Sequence, residues 1–420
     1  MNVQRLLSER VLAVDASGIR RVSELAKTIP GAINLSIGQP EFPVPAGIKR
    51  AAIDAIEHDK NGYTPNPGLD ALRTRLAQRL KDDVGWRVAA PGHEEVTGEA
   101  GLAVTAGTSA AILLACMALL NPGDEIIIPD PYFVIYPHIA TMCHAKAVRC
   151  DTYPDFRMTA ERVEPLITPR TKMVLLNSPG NPSGVVMSSA EVGALWALCR
   201  SRGIVLLSDE IYDEFTFSES RTELAAKDQR AGRGSGELVR WCPSPARVAG
   251  ADEGVLLVRG FGKTYGVTGW RLGYAAGPRA LIEQMVKLQQ YTFVCAPTPL
   301  QWGVLSALDT DMSEVVARYE RRRDLVVERL SRVTRVERPG GAYYAFFEVP
   351  RALGMSATEF CARCVEEKLL VIPGGVFSGR DTHVRLSFAA EDGALDRGLE
   401  ILVKLMSKAR NPGAGVGVGA

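Results

Sequence analysis

Short, largely apolar runs punctuate the middle of this chain: Ala103–Val104–Thr105, Ile126–Ile127–Ile128, Met173–Val174–Leu175–Leu176, Ile204–Val205–Leu206–Leu207 and Val255–Leu256–Leu257–Val258. They are too short for helices and have no polar face, so each reads as a strand buried on both sides. Helix-like stretches, such as Ser189 to Ser201, separate several of them. Apolar strands alternating with helices predict an α/β fold on a largely parallel sheet with helices on both faces. Open sheets of that kind bind ligands beyond the carboxyl ends of their strands. The polar residues that follow each run are therefore the candidates for chemistry.

The flanks read differently. Ser17 to Ile29 has helical spacing and is closed by Pro30, and Asn34 to Phe42 is turn-rich. Leu69, Leu72, Leu76 and Leu80 mark an amphipathic helix after Pro67–Gly68. Ser218 to Asp252, rich in Arg, Gly, Ser, Glu and Pro, is predicted to be a long surface insertion. Past residue 300 come a charged helix (Met312 to Arg332), a strand (Tyr343 to Val349), a helix (Ala357 to Lys368), a short strand (Leu369 to Ile372), a strand (His383 to Phe388) and a last helix. They predict a second, smaller α/β unit. The tail Asn411 to Ala420 is expected to be disordered; its glycines follow no strand and open no helix, as a dinucleotide-binding turn would require.

With 420 residues the chain has room for two or three domains. Lys and Arg number 49 against 48 Asp and Glu, a balance that gives no reason to expect nucleic acid or an anionic membrane as partner. The longest apolar run, Ala110 to Leu120, is 11 residues, too short to span a bilayer. The start of the chain lacks the apolar core of a signal peptide, so the cytoplasm is the expected location. Eight cysteines read as reduced thiols. Cys361 and Cys364 have no second ligand pair for zinc and read as helix residues; His138, Cys143 and His144 lack ligand spacing, so no metal is expected.

Lys263 follows the run Val255 to Val258 and is flanked by glycines in Gly260–Phe261–Gly262–Lys263; Arg271 comes 8 residues later. Glycines leave room for a bulky group beside the amine, and an arginine suits a phosphate. The pair suggests a Schiff-base lysine holding a phosphorylated aldehyde. Gly107–Thr108–Ser109, between a strand and a helix, offers backbone N–H groups at a helix N-terminus, a seat for phosphate or an ordinary cap. Asp209, at the end of another strand, needs a partner if buried: a protonated pyridine nitrogen would serve, and so would a salt bridge. Asn181, in Asn177–Ser178–Pro179–Gly180–Asn181–Pro182–Ser183–Gly184, and Tyr212 can point hydrogen bonds into the same crevice, and Phe133 can lie flat on a ring. Arg385, among apolar residues, needs a carboxylate, from a substrate or from the protein.

Taken in order, SIGQPEF, YTPNPG, AGTSAA, NSPGNPSG, SDEIY, GFGKTYGVTGWRLGY and HVRLSF resemble the fold-type I, pyridoxal-phosphate-dependent aminotransferases of class I/II, the aspartate aminotransferase-like family. The resemblance spans roughly Ser17 to Leu405. It implies a large cofactor-binding domain (46–298, with 218–253 inserted) around a mainly parallel seven-stranded sheet. It also implies an N-terminal segment (1–45) packing with a small α/β domain (299–408), and a tail (409–420). By the same resemblance Lys263 forms the Schiff base with pyridoxal 5'-phosphate and carries the proton. Asp209 pairs with the pyridine nitrogen, Asn181 and Tyr212 bond the phenolic oxygen, and Phe133 stacks on the ring. Gly107, Thr108, Ser109 and Arg271 hold the phosphate, and Gly38 and Arg385 hold the substrate carboxylate. Tyr63 resembles the tyrosine that reaches the phosphate of the neighbouring subunit, which implies a homodimer.

Two features depart from the pattern. Gly260 stands where the family usually has a serine, with Gly262 at another common serine position, so a hydroxyl toward the phosphate is missing. Asp209 and Lys263 are 54 residues apart, longer than usual. The implied reaction is transfer of an amino group from an L-amino acid to a 2-oxo acid by a ping-pong cycle. A lyase acting through the same α-carbanion is the alternative. A transcription regulator on this fold would need a DNA-binding module ahead of it, for which about 16 residues are too few. Tyr343 and Tyr344 are candidates for an apolar or aromatic pocket wall, and no second arginine for a dicarboxylate is assigned.

Overall fold

The computed structural model describes residues 1–89, 100–224 and 239–407. Its centre is a seven-stranded sheet of β2 (Ala100–Thr105), β3 (Glu125–Asp130), β4 (Lys146–Asp151), β5 (Thr171–Asn177), β6 (Val205–Asp209), β9 (Val255–Gly260) and β10 (Gly273–Pro278), in the order β2-β10-β9-β6-β5-β3-β4. Only β10 runs against its neighbours. The Val, Leu and Ile side chains of β3, β5, β6 and β9 divide between two apolar clusters, one on each face, which is why these strands lack polar alternation.

Two strands escaped the apolar-run reading. β10 (Gly-Tyr-Ala-Ala-Gly-Pro) is built of small residues because it lies between β2 and β9 under a close-packed helix, and β4 (Lys-Ala-Val-Arg-Cys-Asp) is the polar edge. Because β10 is antiparallel, it starts at the edge where the others end: Gly273 pairs with both Thr105 and Gly260. Arg271, two residues earlier, thus reaches the same end of the sheet as Gly107 and Lys263.

Toward the C-terminus β11 (Tyr344–Glu348), β14 (His383–Ser387) and β13 (Ile372–Pro373) form an antiparallel sheet. β1 (Ile33–Asn34) pairs in parallel with β12 (Leu369–Leu370). The expected single strand Leu369 to Ile372 is therefore split between two sheets at Val371. The Ser218 to Asp252 segment also departs from expectation. A short hairpin of β7 (Thr222–Leu224) and β8 (Val239–Trp241) flanks residues 225–238, which lie outside the described set together with the tail at 408–420. From Cys242 to Ala246 the chain is buried rather than superficial, because Ser244 donates to Glu210 Oε1 at 2.6 Å and Arg247 pairs with Asp83.

Those contacts belong to a buried cluster of charges beneath the sheet's carboxyl edge. Arg259, on β9, is 2 % exposed and pairs with Asp83 of the helix Asp70–Val84, with Glu210 at 2.9 Å and with Asp213 at 3.3 Å. Glu210 also accepts from Ser208 at 2.8 Å. Removing one partner of such a set leaves uncompensated charge in a dry interior. Arg259→Met is expected to lower the free energy of unfolding in urea by roughly 3–5 kcal/mol. A loss below about 1 kcal/mol, the range of surface pairs, would show that the cluster is not what anchors these strands.

Candidate active site

A cavity of about 510 Å³ opens where β2, β5, β6 and β9 end. Gly38, Gly107, Thr108, Ser109, Phe133, Asn181, Asp209, Tyr212, Lys263, Arg271 and Arg385 all line it, so one space gathers residues drawn from the whole chain. Tyr63 does not line it; that side chain is 86 % exposed on the surface.

Lys263 is partly buried and its Nζ donates to the carbonyl of Gly38. Burial, and then the nearby charges of Arg385 and Arg271, bring its amine down from 10.5 to about 8. Asp209 is buried with no Lys, Arg or His within ion-pair distance among the described residues. Its Oδ2 accepts from Tyr136 at 2.8 Å and its Oδ1 from the N–H of Ile211 at 3.3 Å. Burial outweighs those bonds and raises the carboxyl to about 6. The salt bridge that would have explained this residue structurally is not made.

Arg385 is likewise buried and lacks a carboxylate among the described residues. Its Nη1 donates to Asn181 Oδ1 at 3.0 Å and its Nη2 to the carbonyl of Ser36 at 2.8 Å, while the buried Nε has no acceptor. Tyr344 and Phe377 lie against the guanidinium at 4.4 and 4.8 Å. An internal ion pair, the ordinary reading of such an arginine, is ruled out by this geometry.

The helix Thr108–Leu119 starts at Gly107, whose φ of 79° suits glycine, and no side chain caps it. A Cβ at Gly107 would lie 2.6 Å from Arg271 Nη2, so the missing side chain is what lets the guanidinium approach this helix start. The space left by Gly260 is not vacant: a Cβ there would lie 2.8 Å from Ile211 Cδ1 and 3.1 Å from the Thr108 methyl. Ile211 and Thr108 together thus occupy the space where the resemblance leads one to expect a serine side chain.

Several cavity residues were not singled out from the sequence. Tyr136, which bonds Asp209, stands one helical turn after Phe133, and that spacing was the available signal. Asn177 joins two strand ends, donating to the Asp209 carbonyl at 3.0 Å and accepting from the Asn181 N–H at 2.9 Å. Ile19 and Arg20 arrive from the helix Gly18–Thr28, and nothing local in that helix reveals it. Of the two tyrosines that the sequence did single out as pocket-wall candidates, Tyr344 lines the cavity and its hydroxyl meets that of Tyr212 at 3.1 Å, whereas Tyr343 is not among the lining residues and donates to the Gly38 carbonyl at 3.2 Å.

An α/β protein with a lysine, an unpaired carboxylate and unpaired arginines around one cavity at its strand ends has the parts of a Schiff-base enzyme. Comparison with known proteins agrees. Residues 30–402 match the family described as aminotransferase class I and II, and the chain belongs to it. It is 32 % identical to an aspartate aminotransferase of Rhizobium meliloti, over 94 % of both chains. It is 30 % identical to aromatic-amino-acid aminotransferase 2 of Thermococcus litoralis, over 96 % of this chain and 98 % of that one. Among solved structures, a single mutant of the Thermus thermophilus aspartate aminotransferase superposes with a TM-score of 0.82 at 32 % identity, covering 95 % of this chain and 99 % of that one. The protein is therefore a pyridoxal-phosphate-dependent aminotransferase of fold type I.

The residues present fit that cofactor. The uncapped helix start beside Arg271 suits a phosphate, the unpaired Asp209 carboxylate suits a ring N–H⁺, and Lys263 offers an amine held low enough to react. No helix among the described residues is long and apolar enough to cross a membrane.

The state of Lys263 is open to a stability test. Below pH 8 its amine is protonated in both native and unfolded chains, and the native state bears the burial cost. Between about 8 and 10.5 the unfolded chain binds the extra proton, so stability rises with pH, and above 10.5 the cost is gone. Cofactor-free Lys263→Met should exceed the cofactor-free parent by roughly 2–3 kcal/mol at pH 7, with the gap closing toward pH 10.5. Urea titrations of both proteins across that range measure it; a gap that ignores pH would mean the amine is not held low.

Proposed function

We propose that this aminotransferase uses Lys263 as both the covalent anchor of its cofactor and the base of the reaction. When bound, pyridoxal phosphate supplies the electron sink that makes the amino acid's α-proton removable. The Lys263 amine would move that proton. An amine near 8 is suited to the task because it can both accept and return a proton close to neutral pH. Arg385 receives the substrate α-carboxylate on its unpaired donors, with Asn181 and the Gly38 backbone beside it. Asp209, held in place by Tyr136, would keep the ring nitrogen protonated, and Tyr212 and Asn181 would bond the phenolic oxygen. Phe133, which lines the cavity, would pack on the ring. Thr108, Ser109, Arg271 and the N–H groups after Gly107 take the phosphate.

One observation supports this reading above the others: Lys263, Asp209 and Arg385 share a cavity, and none has an opposite charge from the protein at ion-pair distance among the described residues. The proposal extends to a homodimer in which Tyr63 completes the neighbouring site. It is supported by the exposed Tyr63, Tyr291 and Phe293, on segments linked by Gln289 Nε2 donating to the Asn66 carbonyl. Eight unpaired cysteines favour a reducing compartment such as the cytoplasm.

A single-turnover experiment tests the assignment. Holoenzyme mixed with an amino acid and no acceptor should release up to one 2-oxo acid per site and no ammonia; ammonia release would favour a lyase. Lys263→Ala should lose turnover by several orders of magnitude, and borohydride should fix the cofactor on the Lys263 peptide of the parent alone. Arg385→Ala should weaken amino-acid capture by roughly ten- to a hundredfold. An unchanged KM would remove Arg385 from the carboxylate role.

A further inference from the structure

Among the described residues the tyrosines that line the cavity are Tyr136, Tyr212 and Tyr344. The proposed function uses the first two and leaves Tyr344 without a task. Tyr344 opens β11 opposite Ser387 of β14, and Phe346, two residues on, stands opposite Arg385. Residues two apart on a strand share a face, so Tyr344 and Arg385 are diagonal neighbours on one side of the sheet. The Tyr344 ring accordingly lies against the Arg385 guanidinium at 4.4 Å. Its hydroxyl meets that of Tyr212 at 3.1 Å, with the two rings perpendicular and 5.9 Å apart. Gly38 makes room for that hydroxyl: a Cβ there would sit 3.2 Å from the Tyr344 oxygen. One side chain, 1 % exposed, thus touches both the arginine assigned to the substrate carboxylate and the tyrosine assigned to the phenolic oxygen.

Proton counting gives the hydroxyl pair a direction. A phenol has one proton to donate, and its oxygen can still accept. Burial, and then the neighbouring Tyr344, holds the Tyr212 phenol well above its ordinary value, so Tyr212 keeps its proton. If Tyr212 donates that proton to the cofactor oxygen, the bond between the two hydroxyls can run only from Tyr344 to Tyr212. Tyr343, the other phenol of the cluster, does not compete, because its proton goes to the Gly38 carbonyl. A hydroxyl that accepts while it donates is polarised and donates more strongly.

Resting on the assignment of Tyr212 to the phenolic oxygen, we propose that Tyr344 is a positioning residue with two separable roles: its hydroxyl aims and polarises the Tyr212 O–H, and its ring braces Arg385 for the substrate carboxylate. Tyr344 thereby joins the half of the cavity that takes the cofactor to the half that takes the amino acid.

The test compares holoenzyme of the parent with Tyr344→Phe, Tyr344→Leu, Tyr212→Phe and the double variant Tyr212→Phe/Tyr344→Phe. The first reading is the pH midpoint of the bound cofactor's absorbance change, which follows the proton shared by the phenolic oxygen and the Lys263 nitrogen. A donor aimed at that oxygen favours the form from which the proton has left, so a weaker donor raises the midpoint. The other ionisable groups around the pair, Lys263, Asp209, Arg385, Tyr136 and Tyr343, are the same throughout. Tyr344→Phe and Tyr344→Leu both lack the hydroxyl and should each raise the midpoint by roughly 0.3–1 pH unit, so either one alone reads its loss. Tyr212→Phe should raise it further, and the double variant no more than Tyr212→Phe. The second reading is KM for an amino acid. Tyr344→Phe keeps the ring and should change KM less than about threefold, while Tyr344→Leu should raise it by roughly five- to thirtyfold. A midpoint that moves in Tyr212→Phe but in neither Tyr344 variant would overturn the inference. So would a further rise in the double variant, because Tyr344 would then act without Tyr212. Equal KM changes in Tyr344→Phe and Tyr344→Leu would overturn the bracing of Arg385. Should Tyr212→Phe itself leave the midpoint unmoved, the assignment of Tyr212 to the phenolic oxygen fails and the hydroxyl role of Tyr344 falls with it.

Discussion

Arg259 is the interaction on which the rest of the site depends. Its guanidinium lies out of water, and the protein can tolerate it there only by surrounding it with Asp83, Glu210 and Asp213. Asp83 comes from the helix Asp70–Val84 and Glu210 and Asp213 from the segment after β6, so satisfying one charge ties a helix to two strand ends, and Ser244 and Arg247 tie the segment that leads out of residues 225–238 to the same carboxylates. Glu210 adjoins Asp209, and Arg259 is four residues ahead of Lys263. The charges that are fully paired thus hold in place the charges that are not.

That division explains the chemistry. Below the strand ends, ionic groups are matched and inert. Above them, Lys263, Asp209 and Arg385 are enclosed without protein counterions, and burial drives each toward its neutral form. Groups held in that condition gain from a ligand of complementary charge, because binding offsets a desolvation cost already incurred in folding. A phosphorylated pyridinium and an amino acid carboxylate bring charges that match what the cavity lacks.

Much of this was legible in order along the chain. The strands β3, β5, β6 and β9 announce themselves because burial on both faces demands apolar side chains throughout. The candidates after them follow from the rule that ligands sit at strand ends. β4 and β10 were silent, one because it is an edge and can be polar, the other because crowding by its neighbours selects glycine and alanine over β-branched residues. Cys242 to Ala246 misled for a related reason: composition describes a segment's average polarity, whereas burial there is decided by Ser244 and Arg247 finding Glu210 and Asp83.

By itself the sequence determined the alternating α/β plan, the family, and the cavity residues that follow strands, because periodicity and strand-end position are local properties of a chain. Only the tertiary structure decided that Asp209 and Arg385 find no counterion among the described residues, that Tyr136 supports Asp209, that Ile211 and the Thr108 methyl fill the space at Gly260, and that Arg20 reaches the cavity. Those facts depend on which distant groups come within a few ångströms of one another. Counterions and neighbours are supplied by the fold, and no spacing along the chain encodes them.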